Sequence, residues 1–70
     1  MTEKTYNQIQ EKLEKLSFNA RADAMEIRSY WTNNKITPEY MRTVLNAFNE
    51  QIDRLLYLRE IVTAEIRQNN

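Results

Sequence analysis

The chain has no glycine and a single proline in 70 residues. Glycine is the usual residue for tight turns and helix ends, and proline interrupts helices. Because the one proline, Pro38, lies near the middle, the chain can form two long helices joined by one bend. Such a fold offers helix surface and almost no loop on which a reaction site could be built.

Composition narrows the ways in which so short a chain can be stable. We expect one domain over residues 1–70, and a domain of this size needs disulfides, a metal, very regular helix packing or a partner. Cysteine and histidine are absent, which excludes disulfides, Cys/His zinc sites and thiol or imidazole catalysis. Helix packing and oligomerisation remain as sources of stability.

Charge and hydropathy exclude further classes of function. Ten basic residues balance ten acidic residues, so no net field attracts nucleic acid or an anionic membrane. No apolar run approaches the length of a membrane span, the start of the chain is polar, and phosphate-binding glycine loops are missing. We therefore expect a non-enzymatic cytoplasmic protein that uses no cofactor, metal, membrane or small-molecule substrate.

Each half of the chain carries a series of residues at alternating steps of three and four, the a and d positions of a heptad repeat, and all but one member of each series are apolar. In the first half these are Tyr6, Ile9, Leu13, Leu16, Ala20, Asp23, Ile27 and Tyr30. In the second half they are Met41, Leu45, Phe48, Ile52, Leu55, Arg59, Val62 and Ile66. We call these two series the heptad stripes and expect them to pack against each other.

Capping residues define the ends of the predicted helices. Asn33-Asn34 is the expected stop, since asparagine tolerates the left-handed conformation of a helix end, and Thr37 with Pro38 is a strong helix start. At the beginning of the chain, Thr5 with Gln8 fits a capping box and Thr2 is the alternative cap. The resulting prediction is an all-α antiparallel two-helix hairpin with a helix over 4–32, a turn over 33–37 and a helix over 38–68.

Two registers of this hairpin are compatible with stripe-against-stripe packing. One pairs Ile27 with Phe48 and Ala20 with Leu55. The other pairs Ile27 with Met41 and Ala20 with Phe48, and we favour it because it places a small residue against a bulky one.

The chain has more apolar residues than one hairpin can bury, which predicts association. Five such residues outside the heptad stripes form the expected interface: Phe18, Met25, Trp31, Tyr57 and Ile61. We favour a homodimer that forms a four-helix bundle or long coiled coil, with a different protein as the alternative partner.

Two charged residues, Asp23 and Arg59, interrupt the heptad stripes. They are either solvated where the stripes open, or they specify register or partner, as single polar a or d residues do. Neither register places them opposite each other within one hairpin. An ion pair between them would therefore form across a dimer or with another protein.

A second hypothesis is a small dimeric regulator that binds nucleic acid through an Arg21/Arg28 face. Four basic residues recur at seven-residue intervals: Arg21, Arg28, Lys35 and Arg42. Three aromatic residues near the turn could stack on bases: Tyr30, Trp31 and Tyr40. The favoured function remains a protein–protein interaction module, such as a small regulator, inhibitor, adaptor or chaperone.

Overall fold

A computed structural model of the chain, which describes residues 1–68, consists of two long antiparallel helices. Helix α1 spans Glu3–Thr32 and helix α2 spans Pro38–Gln68. Their Cα atoms occupy an envelope of 52 × 17 × 13 Å. The all-helical hairpin expected from the sequence is confirmed, and α1 begins one residue earlier than predicted.

Thr2, rather than Thr5, caps the start of α1. The backbone of Thr2 is extended, with φ −80° and ψ 159°, and its Oγ1 accepts a hydrogen bond from the Thr5 N–H at 3.2 Å. The capping box predicted at Thr5 and Gln8 is therefore wrong, and the alternative cap at Thr2 is confirmed. A threonine three residues before another threonine offers two competing caps, and the earlier one adds a further turn of helix.

The end of α1 is a Schellman motif with asparagine in the position that glycine usually takes. Asn34 has φ 56°, in the left-handed region. Its N–H donates to the Trp31 carbonyl at 3.1 Å, and the Lys35 N–H donates to the Tyr30 carbonyl at 2.8 Å. These two bonds satisfy carbonyl groups that the helix end leaves free. The predicted stop at Asn33-Asn34 is confirmed.

The start of α2 follows the predicted capping pattern. Thr37 Oγ1 accepts a hydrogen bond from the Tyr40 N–H at 3.1 Å, and the Thr37 carbonyl accepts one from the Met41 N–H at 2.9 Å. Pro38 occupies the first helical position, where no N–H is required. This cap sets the rotation of the first turn of α2 and directs Tyr40 toward α1.

Three contacts across the hairpin fix the register of the two helices. At the turn end, the rings of Tyr30 and Tyr40 stack with centroids 3.8 Å apart. Further along, Lys12 Nζ lies 4.5 Å from the centroid of the Tyr57 ring. At the open end, the amino group of Met1 lies 3.7 Å from Glu65 Oε2.

The helix contact follows the heptad stripes only in part: α2 does not use its stripe, whereas the shielded residues of α1 include five members of the first stripe. In α1, the residues that the contact shields from solvent are Thr5, Ile9, Lys12, Leu16, Asn19, Asp23, Ile27 and Tyr30. In α2 they are Tyr40, Val44, Ala47, Gln51, Arg54, Leu58, Ile61, Thr63 and Glu65. We call these two series the contact line. Many residues of the contact line are polar. In α2, the residue immediately before each member of the heptad stripe belongs to the contact line.

The prediction that the second heptad stripe is buried within the hairpin is therefore wrong. Its apolar members remain exposed, from 42% for Val62 to 57% for Leu55. The physical reason is that α2 turns its most apolar side toward one side of the hairpin rather than toward α1, while α1 divides its stripe between the helix contact and that same side. Helices of a four-helix bundle direct their a and d positions in this way, toward a shared central axis.

The hairpin buries very little of itself. Within the described residues, only Tyr40 at 8% exposure and Leu58 at 5% are buried. Large apolar side chains of both helices remain open to solvent, including Trp31 at 75% and Phe18 at 73%. Since burial of apolar surface is the main favourable term in folding, this pair of helices has only a minimal core of its own.

Candidate interaction surface

One broad side of the hairpin, which we call the apolar face, is built from parts of the two heptad stripes and from Ala24 and Leu56 beside them. The apolar residues that line its grooves include Ile9, Leu13, Ala20, Ala24 and Ile27 of α1 with Phe48, Ile52, Leu55, Leu56 and Val62 of α2. Their spacing of three and four places them on one side of each helix. The antiparallel register then brings both apolar sides to the same side of the molecule.

Two open grooves follow one another along the apolar face. The turn groove, of about 490 Å³, is lined by Ala20, Asp23, Ala24, Ile27, Phe48, Gln51 and Ile52. The terminal groove, of about 540 Å³, is lined by Ile9, Leu13, Leu55, Leu56, Leu58, Arg59, Val62 and Thr63. The two predicted registers paired Ala20, Ile27 and Phe48 in different ways. The Tyr30–Tyr40 and Lys12–Tyr57 contacts correspond to an axial register close to the favoured one, which paired Ala20 with Phe48. Ala20, Ile27 and Phe48 line the turn groove together.

Each groove contains one charged residue. Among the described residues of the turn groove, only Asp23 is ionisable, and its side chain is half-buried. Of the described residues that line the terminal groove, only Arg59 is charged, and it is exposed. The two residues singled out in the heptad stripes thus lie on the same face but in different grooves.

The opposite side of the hairpin is polar. Lys12, Lys15, Asp53, Arg54 and Tyr57 line a shallow depression there. Tyr57, which was predicted to be an interface residue, lies on this side with its ring against Lys12 at 4.5 Å, a cation–π contact within the hairpin. One side of the hairpin is therefore apolar and the other is polar and charged, and the apolar side is open to solvent.

The five predicted interface residues do not come together on one surface. Phe18 and Met25 are 73% and 68% exposed, half a helix turn away from the apolar face on the outer side of α1. Trp31 is exposed beside the turn, whereas Ile61 belongs to the contact line and is half-buried. As an expected interface residue, Ile61 was predicted to lie on a side of α2 that faces away from α1, and this prediction is wrong. Its position before Val62 turns it toward α1.

The apolar face itself was missed as a surface. The heptad stripes identified its residues, but they were assigned to the contact between α1 and α2. The feature that distinguishes the two arrangements is the second apolar flank of each helix, represented by Ala24 in α1 and Leu56 in α2. A flank of that width exceeds what a two-stranded contact covers.

The basic residues of the nucleic-acid hypothesis are all exposed: Arg21, Arg28, Lys35 and Arg42. The aromatic residues assigned to base stacking are mostly engaged elsewhere. Tyr30 and Tyr40 stack on each other with their ring planes 9° from parallel, and Tyr40 is buried. Trp31 keeps a free ring, so one of the three proposed stacking residues is accessible.

The hydroxyl group of Tyr40 is buried, and it has no hydrogen-bond partner among the described residues. Burial raises the pKa of Tyr40 above its ordinary value, with smaller contributions from Glu26, Tyr30 and Asp23. A cavity of about 30 Å³, which Tyr40 helps to line, exceeds the ~10–15 Å³ that is needed to hold one water. Tyr40 therefore contributes to the packing of the hairpin at its turn end.

Within residues 1–68 no cluster of three acidic side chains forms that could hold a metal ion. Neither α1 nor α2, over the described residues, contains a segment both long enough and apolar enough to cross a membrane.

No protein-family model matches the chain, and no curated protein or solved structure compared with it matches either.

Proposed function

We propose that this chain is a non-enzymatic protein–protein interaction module that homodimerises through the apolar face into a four-helix bundle. The observation that carries the proposal is the apolar face, which stays open along the hairpin, while Tyr40 and Leu58 are the only buried residues among those that the structure describes. A contiguous apolar surface of this kind marks an interface in a soluble protein. The polar opposite side would remain in water.

The size of the face suits a stable dimer. The hairpin is 52 Å long and 17 Å wide, roughly 900 Å² in projection, and a partner in a stable complex typically buries about 800 Å². Helices in such bundles pack through layers of a and d residues, which are the residues that the apolar face presents.

A second copy of the chain is the occupant that the face fits best. A twofold interface uses the same patch on both subunits, so the patch must be complementary to itself. In the turn groove the α1 side carries the small residues Ala20 and Ala24, and the α2 side carries the large residues Phe48 and Ile52. Ridges of one hairpin can therefore enter the open troughs of another.

In this proposal the outer surfaces are free for a further protein, which is the role of a small regulator, inhibitor, adaptor or chaperone. Phe18 and Met25 lie on the outer side of α1, away from the dimer interface. Exposed apolar residues surrounded by polar ones are typical anchors for a partner.

The test is light scattering at micromolar concentration, combined with circular dichroism. The unsubstituted chain is expected to show twice its mass of 8.5 kDa. Ile52→Glu and Leu55→Glu, on the apolar face, should abolish the dimer, because each would bury an unpaired carboxylate. Phe18→Glu and Met25→Glu are matched controls on the outer side and should leave the dimer intact. A helical species at 8.5 kDa would contradict the proposal.

Nucleic-acid binding by a small dimeric regulator is the alternative, and it is supported by the exposure of Arg21, Arg28, Lys35 and Arg42. Such binding should weaken steeply with salt and be lost in an Arg21→Ala/Arg28→Ala variant. Fluorescence anisotropy with labelled single- and double-stranded probes measures this directly. Salt-independent or absent binding would leave the protein–protein role.

A further inference from the structure

We infer that the two hairpins of the proposed dimer pack with their turns at opposite ends, held in that orientation by two Asp23–Arg59 ion pairs across the interface. This inference rests on the proposed homodimer and adds its geometry. The inference is based on the positions of Asp23 and Arg59, the two charged residues in the grooves of the apolar face.

The apolar face carries opposite charges in its two grooves. The carboxylate of Asp23 belongs to the turn groove, beside Ala20, Ile27 and Phe48. The guanidinium of Arg59 belongs to the terminal groove, beside Leu13 and other aliphatic side chains. Among the described residues the remaining lining side chains of both grooves are uncharged. Covering the face therefore removes one acid and one base per chain from water.

The two charges cannot neutralise each other within one hairpin. Arg59 lies at the level of Ile9 and Leu13, with which it lines the terminal groove. Asp23 lies about twelve residues further along α1, which corresponds to about 18 Å at the rise of an α-helix. Asp23 also borders a depression on the other side of the hairpin together with Arg54, but no ion pair joins these two described side chains. Arg59 has no acidic neighbour among the described residues of its groove, so once the face is covered an outside partner would neutralise each charge on that side.

The positions of the two charges are symmetric about the middle of the hairpin. Asp23 lies nine residues before the end of α1 at Thr32, and Arg59 lies nine residues before the end of α2 at Gln68. Because the helices are antiparallel, these two ends lie at opposite ends of the molecule. When a second hairpin is rotated so that its turn lies at the opposite end, its Arg59 therefore lies at the same height along the long axis as Asp23 of the first hairpin.

Only one of the two face-to-face orientations uses this symmetry. With both turns at the same end, turn groove covers turn groove, so Asp23 would face the partner's Asp23 and Arg59 would face the partner's Arg59. Like charges would then be buried among apolar side chains without counterions. With the turns at opposite ends, turn groove covers terminal groove and Asp23 shares a layer with the partner's Arg59. Single buried polar residues fix helix orientation in this manner in coiled coils.

The first test measures the orientation itself. The natural chain has no cysteine, so Lys35→Cys, at an exposed site beside the turn, gives one spin label per chain. We expect a label-to-label distance near the 52 Å length of the hairpin in a pulsed dipolar measurement. Turns at the same end would give a distance within about 20 Å, given helix spacings of roughly 10 Å. A dimer with the short distance would overturn the orientation alone, whereas a monomer at 8.5 kDa would also overturn the proposed function.

The second test measures the pairing by charge reversal. Asp23→Arg alone and Arg59→Asp alone should each weaken dimerisation by at least about tenfold, because each places like charges in one buried layer. The double variant should recover to within about threefold of the natural chain, since the pair is restored with its signs exchanged. Asp53→Arg with Arg21→Asp, exposed charges off the apolar face, is the matched control and should change little. A double variant as weak as the singles would overturn the pairing.

Discussion

Tyr30 and Tyr40 close the turn end of the hairpin by stacking with ring centroids 3.8 Å apart and planes 9° from parallel. The pairing joins the last turn of α1 to the first turn of α2. It follows from the two caps that flank the turn, since the Schellman motif at Asn34 ends α1 and the Thr37 cap rotates Tyr40 inward. Two side chains from opposite sides of a short turn thereby pack directly against each other.

Replacing Tyr40 by phenylalanine should not lower stability at neutral pH. The hydroxyl group is buried and has no hydrogen-bond partner among residues 1–68, so removing it removes a desolvation cost while the ring stays in place. We expect the melting temperature to stay within about 3 °C of the natural value or to rise. Tyr40→Ala, which removes the stacked ring, should lower it clearly. A marked loss in Tyr40→Phe would show that the hydroxyl binds an ordered water.

Alkaline pH should destabilise the chain through Tyr40. Its pKa is raised above 10.0 in the folded state, chiefly by burial, so the folded state holds this proton more tightly than the unfolded chain does. The associated stability is fully present below pH 10.0 and is lost as pH rises through the higher folded pKa. Urea unfolding between pH 8 and pH 11 should show a steeper decline for the natural chain than for Tyr40→Phe. Parallel profiles would contradict the shift.

Asn34 should respond to substitution according to its left-handed backbone. With φ at 56°, glycine relieves the steric cost of a Cβ atom, so Asn34→Gly should be at least as stable as the natural chain. Asn34→Ala should lose about 1 kcal/mol, because alanine tolerates this region less well than asparagine does. Thermal unfolding of the matched pair measures the difference. Equal stabilities of the two variants would argue against the Schellman motif.

Truncation of Leu58 should be among the most costly changes in α2. Leu58 is 5% exposed, and shortening a buried leucine to alanine costs about 2–5 kcal/mol. Met25→Ala, at a side chain that is 68% exposed on the outer side of α1, is the control and should change stability by less than about 0.5 kcal/mol. Urea unfolding followed by circular dichroism distinguishes the two. A comparable loss in Met25→Ala would indicate that the outer side of α1 is also covered.

The helix ends were predictable because the residues that set them act locally. Thr37, Pro38 and Asn34 each favour one backbone conformation or one hydrogen bond within a few residues, and no distant contact is needed. Thr2 and Thr5 show the limit of such local rules. Both fit an N-cap, and the choice between them depends on the gain from one more helical turn.

Whether the apolar side of each helix faces the other helix or the solvent could not be predicted from local residues in the same way. A heptad stripe shows which side of a helix avoids water, but it does not show whether that side is covered by the neighbouring helix or by another chain. Ile52 and Leu55 follow the pattern as well in either case. The distinction depends on rotation about the helix axis, which the Thr37 cap and the Tyr30–Tyr40 stack set through tertiary contacts.

The near absence of a core in the hairpin has a consequence for the chain in the cell. A chain that, over residues 1–68, buries only Tyr40 and Leu58 by itself gains most of its hydrophobic stabilisation when the apolar face is covered. If a second copy provides that cover, folding and assembly become one bimolecular equilibrium, and the folded fraction depends on total concentration. Copies made below the dissociation constant would be unfolded and open to proteolysis. The number of copies in the cell would then decide whether the chain is folded. Below a threshold concentration it would present no folded surface to a further partner.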